Sequence, residues 1–269
     1  MMSAADAIEW MTRLAGFCAA ILSVEVLIDQ AHYSDAGLLG WPVMQSRHRW
    51  LVTHWAVPLL NLFLAHRRFL ALMGLRLLAA AGLVFADPEG GLGLLLLLTT
   101  TATGALYQLR TPFGTDGADQ MNLLTLGALS LERLCASEVV RHAALWFVAL
   151  QLILSYFVAG MAKLRGEEWR SGRAPWGIFT TKLYGIPRLG RWLMRHPRVS
   201  WLMSWGIILF EIGFPAVFVA PRPVALAFLV LGLSFHVLTA FVMGLNTFFW
   251  AFLAAYPALV WCLMGRGPG

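Results

Sequence analysis

The chain has 269 residues, of which 59% are apolar and only 13% charged, and its mean hydropathy is +0.70. A soluble domain carries about a quarter charged residues, so this composition excludes a water-soluble globular fold. The net charge of +6 comes from basic residues clustered between apolar runs, with no aromatic-interleaved groove, which points to membrane orientation and excludes nucleic acid as a partner.

About 20 apolar residues cross a bilayer as a helix. By that measure, spans are expected at residues 10–28, 50–65, 69–86, 91–109, 118–131, 143–162, 200–220, 224–245 and 247–264. The fifth is short and reads also as a re-entrant segment. The expected fold class is therefore an all-α polytopic transmembrane helical bundle of eight or nine spans, one domain over residues 1–269. Residues 1–9 lack a basic leader, so the first run is expected to stay as a span.

Glu25 and Asp29 close the first span as interfacial charges. The loop 31–49, with His32, Tyr33 and Trp41 and followed by Trp50, is expected along the outer interface. Asp116 and Asp119 open the fifth run in the manner of ordinary N-terminal caps. The connection 164–199 carries Arg165, Arg170, Arg173, Lys182, Arg188, Arg191, Arg195 and Arg198 against Glu167 and Glu168. Its mix with Trp176, Phe179, Leu183, Trp192 and Leu193 reads as an amphipathic surface helix broken at Pro187 and Pro197.

Basic residues stay in the cytoplasm, so 164–199 is expected there. With nine spans, alternation then puts His66-Arg67-Arg68 and Arg110 inside and Asp87-Pro88-Glu89 outside. The N-terminus is expected in the cytoplasm and the C-terminus outside, in the inner cell membrane.

Within the sixth run, Gln151, Ser155, Tyr156 and Lys163 fall in an arc of roughly 140° on one helix face. The other face is Leu, Ile, Val and Phe. Such a helix meets lipid on one side and a polar cavity on the other. Lys163 has two readings: a functional group held at membrane depth, or the terminal lysine of a span that snorkels to the interface.

His236 lies well inside its span, with Thr239, Met243 and Thr247 following at helical steps. It is either functional or a neutral histidine bonded to a neighbouring helix. Asn246, beside Gly244, marks a turn or a cap. Glu211 precedes Pro215 by four residues, and a proline there leaves the Glu211 carbonyl without its helical N–H, so a kink is expected. That carboxylate lines a cavity or pairs with an arginine.

Cys18, Cys135 and Cys262 are scattered and form no Cys-x-x-Cys, which disfavours thiol–disulfide chemistry and a cysteine zinc site. The histidines make no His-x-x-x-His or His-Glu-x-x-His, so no metal is expected. Nucleotide and Gly-x-Ser-x-Gly motifs are absent.

The order Gly114-Thr-Asp116, then Gln151-(x)4-Tyr156-Phe-x-Ala-Gly-x-x-Lys163-Leu-(x)4-Trp169-x-x-Gly172, then Glu211-x-x-Phe-Pro, then Phe235-His236-(x)6-Met-Gly-Leu-x-x-Phe resembles the HTTM family. This is the membrane domain related to vitamin K-dependent γ-carboxylase. The resemblance covers residues 114–256, and the Lys163 segment is its most specific part.

The resemblance implies that Lys163 is the base that deprotonates a reduced isoprenoid quinone of the vitamin K or menaquinol type. Glu211 and His236 match the family's kinked-helix acid and intramembrane histidine. Gln151, Ser155, Tyr156, Thr239, Asn246 and Asp116 are the expected cavity residues. The implied chemistry turns an oxygenated hydroquinone into a base strong enough to take a C–H proton before CO2 adds. It needs a dry cavity, a lysine neutralised by desolvation and lateral access from the bilayer.

The carboxylase continues into a large lumenal domain where this sequence ends. A substrate embedded in the membrane or brought by a separate protein is therefore expected. Short family members similar to sporulation-delaying protein B imply a non-catalytic alternative, the maturation or export of, or immunity to, a secreted antimicrobial peptide. A scaffold role is the third reading.

Overall fold

The computed structural model describes residues 2–37, 39–47, 57–111, 116–182 and 185–265. Every regular element among them is a helix. Trp50, Gly114, Thr115 and Leu183 lie outside the described residues. Seven helices are long and apolar enough to cross a bilayer. The chain divides into two compact units, Met1–Val148 with Trp250–Trp261, and Ala149–Phe249 with Cys262–Gly269.

The first unit holds α1 (Ala4–Ile28), α2 (Val57–Leu64), α3 (His66–Phe85), α4 (Gly91–Arg110), α5 (Gly117–Cys135) and the start of α6 (Glu138–Arg165). Local chemistry starts these helices. Ser3 Oγ accepts from Asp6 N and Asp6 returns a bond to Ser3 N, a capping box. Asp116 and Asp119 repeat it at α5, where Asp116 Oδ1 accepts from the N–H groups of Ala118 and Asp119. The cap reading of Asp116 holds.

One end of this unit gathers the N-terminal half-turns of α1 and the turn between α3 and α4. Arg13 donates to the Val84 carbonyl. Ala5, Asp6, Glu9, Asp87, Pro88 and Glu89 line one shared pocket. Arg133, near the close of α5, pairs with Glu89 at 2.8 Å, and Arg141 joins Glu132 at 2.8 Å and Glu138 at 2.6 Å.

The opposite end is built on Arg110. Its guanidinium is fully buried and donates to the carbonyls of Leu64 (3.1 Å), Leu39 (2.6 Å) and Tyr33 (2.7 Å). Its face lies 4.3 Å from the Phe69 ring centre. Trp41 donates to Asn61 at 2.6 Å nearby.

The contacts at the two ends correct two expectations. The chain leaves α1 and returns to α3 at the same end, because Tyr33, Leu39 and Leu64 all bond to one side chain. Of the expected span 50–65, the described part begins at residue 57. Its helix, α2, has eight residues, only about 12 Å of helix. Asp6 and Glu9 line one pocket with Asp87 and Glu89, so the start of α1 and that turn share an end of the unit, where the expectation separated them. Tyr33 and Trp41 are buried instead of lying along an interface.

The fifth expected span is not re-entrant. Gln108 donates to the Asp119 carbonyl at one end of α5, and Arg133 reaches Glu89 at the other, so α5 runs the full height of α4. Among the described residues, seven helices have the length and hydropathy of a span, and α5 is not one of them.

The second unit contains the rest of α6, a single turn Glu167–Arg170, α7 (Arg173–Thr180), α8 (Pro187–Arg195), α9 (Pro197–Gly213), α10 (Arg222–Met243) and the start of α11 (Asn246–Met264). Pro187 and Pro197 each begin a helix, where a missing N–H costs nothing. The surface segment is thus broken at both prolines, as expected.

Candidate functional site

α6 and α9 run antiparallel and touch at Gly160. A methyl group there would lie 2.8 Å from Ile212 N and 2.9 Å from Glu211 Cβ, so only glycine permits this approach. One turn on, Lys163 Nζ donates to both Glu211 oxygens, at 2.8 and 2.7 Å. Glu211 is 2% exposed. The lysine is therefore held inside the unit by a carboxylate and does not simply snorkel, and the partner of Glu211 is this lysine instead of an arginine.

Trp169 lies over the ammonium, with its ring centre 5.2 Å from Nζ, close enough for a cation–π contact. Three bonds from α9 hold the turn that carries it. Ser204 Oγ donates to the Trp169 carbonyl (2.5 Å), Trp205 Nε1 to Arg170 (3.2 Å) and Ser200 Oγ to Gly172 (2.6 Å). Gly172 has φ +76°, and a side chain there would strike the Trp201 backbone at 2.6 Å. Arg173 clamps Glu167 and Glu168 at 2.9 and 2.8 Å, and that bond keeps the Glu168 carboxyl below its ordinary range. The spacing Lys163, Trp169, Gly172 thus has a physical basis.

Pro215 produces a tightening instead of an open kink. α9 passes into a 3-10 turn, Phe214–Phe218, and the Phe214 N–H takes the Glu211 carbonyl that the proline cannot reach. The turn brings the Phe214 ring onto Tyr156, at 3.9 Å and 21°. Tyr156 also meets Phe210 edge-on at 5.7 Å and His236 at 5.6 Å. His236 is 2% exposed and stacks on Phe248 at 6.0 Å. Tyr156 and Lys163 are seven residues apart, roughly 10 Å along α6. An aromatic wall ending in His236 therefore adjoins the charged pair.

Lys163, Glu211, Tyr156 and His236 belong to this wall and pair. Ser155 and Thr239 direct their hydroxyl hydrogens to the carbonyls of Gln151 (2.8 Å) and His236 (3.0 Å) in their own helices. Gln151 is half-buried on α6, and Asn246 is exposed as the first residue of α11. Asp116 belongs to the first unit as a cap. Sequence reasoning missed Gly160 as the contact point and Ser200 and Ser204 as anchors. The four-residue spacing of two serines in an apolar helix was the available signal.

The HTTM domain profile matches residues 121–262, more than half of the chain. This chain belongs to the HTTM domain family. The HTTM match takes in Lys163, Trp169, Glu211 and His236 and begins after Asp116. Together with the apolar helices it makes this a multi-pass membrane protein. Neither a curated protein nor a solved structure matches the chain.

Proposed function

We propose that this HTTM protein is a membrane enzyme of the carboxylase-related type, in which Lys163 and Glu211 exchange a proton with a reduced isoprenoid quinone. The observation that carries the reading is the doubly bonded Lys163–Glu211 pair beside the wall of Tyr156, Phe210, Phe214 and His236. A wall of rings fits a flat aromatic headgroup, which stacks or meets edges at similar spacings.

A bound hydroquinone supplies an oxidisable O–H and, with dioxygen, a strong base. The chain's own residues supply the proton handling. In a desolvated site the charge-separated pair loses much of its advantage over the neutral pair. When the proton rests on Glu211, Lys163 is a free amine able to accept another. Trp169 lies over Nζ and steadies its ammonium form, while Tyr156 and Phe214 orient the ring. The carbon acid is a membrane-embedded or partner-delivered substrate.

Lipid extracts of the purified protein are expected to contain an isoprenoid naphthoquinone, and the protein in nanodiscs is expected to consume the reduced form under air. Extracts free of quinone, together with no consumption of added hydroquinone, would overturn the reading. The pair would then be an internal brace, and the peptide-maturation reading would stand in its place.

The proposed orientation takes α5 as a crossing beside the seven apolar helices, eight in all. The basic connection 164–199 faces the cytoplasm of the inner membrane, and alternation back through α6, α5, α4, α3 and α1 puts both termini outside. Arg47, Arg67 and Arg68 then fall inside with 164–199, while Arg13, Arg133 and Arg141 fall outside, each paired with a carboxylate. In a Cys135→Ser background, Met2→Cys is expected to react with an impermeant maleimide on intact cells. Labelling only after permeabilisation would return the N-terminus to the cytoplasm.

A further inference from the structure

A second polar centre lies in the first unit, on helices the Lys163 site does not use. Arg76 sits mid-way along α3 between Leu75 and Leu77 and is 3% exposed. Its Nε and Nη1 have no hydrogen-bond partner, in contrast to the fully bonded Arg110. On α5, both amide atoms of Asn122 and the hydroxyl of Thr125 are likewise buried and unpartnered.

The register of α4 against α5 puts these groups near one depth. Gln108 meets the Asp119 carbonyl at 2.8 Å, and Thr101 meets Ser130 at 2.9 Å. Between them Gly104 faces α5. A methyl there would lie 3.4 Å from Leu123 Cδ1 and also 3.4 Å from Arg76 Nη2. The guanidinium is therefore level with Asn122 and Leu123, and Thr125 is less than one turn away. Cys18 of α1, Tyr107 of α4 and Asp119 of α5 lie within electrostatic range of Arg76, and its guanidinium carbon is 5.8 Å from the Tyr107 ring centre. No ion pair joins Asp119 to Arg76 among the described residues.

Buried polar side chains almost always find partners. Here the guanidinium leaves donors at Nε and Nη1 unpartnered on two different edges, an amide offers donor and acceptor, and a hydroxyl offers either. The set is donor-rich and cationic. A carboxylate matches the guanidinium in charge and accepts from any one of its N–H groups, while the nearby Asp119 disfavours a dianion. We propose that Arg76, Asn122 and Thr125 form a binding site for a small carboxylate-class monoanion, either bicarbonate or an organic carboxylate. The site stands independently of the quinone reading.

The test uses the full-length protein in nanodiscs, titrated separately with 13C-bicarbonate and 13C-acetate at constant ionic strength, with chloride as control. The readouts are 13C line width and the thermal midpoint. At least one of the two anions is expected to broaden and to raise the midpoint saturably, and which of them does so identifies the source. Arg76→Met is expected to lose both effects. Asn122→Leu, which keeps the charge, is expected to weaken binding about tenfold through lost hydrogen bonds, and it decides the matter if Arg76→Met fails to insert. No response to either anion, or equal responses in wild type and Asn122→Leu, would overturn the proposal and leave these groups to water only.

Discussion

Lys163→Arg is expected to abolish hydroquinone consumption while leaving the protein folded and inserted. Arginine keeps the charge and can hold Glu211 through a bidentate fork, so the contact between α6 and α9 survives. It cannot release its proton inside a protein, so the amine that accepts a proton disappears. A positioned base contributes about 10²- to 10⁴-fold to a proton transfer, and a loss of that size is expected. Glu211→Gln is expected to act similarly, because the amide cannot take the proton from Lys163.

Lys163→Met is a poorer probe. It strands a carboxylate that is 2% exposed, and breaking a buried pair costs about 3–5 kcal/mol. Turnover and yield of the two lysine variants separate the effects. Normal turnover in Lys163→Arg would reduce the pair to a brace and remove the main support for an enzyme.

Arg110→Met is expected to produce the largest loss of stability. One side chain bonds three backbone carbonyls in the first unit, at 2.6 to 3.1 Å. Each buried acceptor left unsatisfied costs about 1–3 kcal/mol, so the total is on the order of 5 kcal/mol. Arg110→Lys is expected to fall between, since a single ammonium does not reproduce the planar fork. Thermal unfolding in detergent measures both. A midpoint for Arg110→Met equal to that of the wild type would show that the returning segment is held by something else.

Arg110 also shows why the path of the chain after α1 is not legible in the sequence. In the sequence it is a basic residue ending a span, which reads as a loop marker. In the structure it is buried and ties residues 33, 39 and 64 to one end of α4. Arg76 was legible as a cation in the middle of an apolar run, but nothing local indicates what surrounds it.

The sequence by itself determined what depends on neighbours within a few residues. Apolar runs long enough to cross a bilayer specify helices because hydrocarbon leaves backbone groups no other partner. Ser3 with Asp6 and Asp116 with Asp119 specify helix starts because each cap closes over three residues. Pro187 and Pro197 specify breaks because proline lacks a donor. The spacing around Lys163 was also readable, and with it the family.

Only the tertiary structure decided which runs cross and which side chains meet. Lys163 and Glu211 are 48 residues apart, and Arg110 and Tyr33 are 77 apart. Hydropathy and helical period carry no information about such pairings. They arise because a charge or carbonyl buried in an apolar bundle must find a partner wherever the packing of the helices offers one.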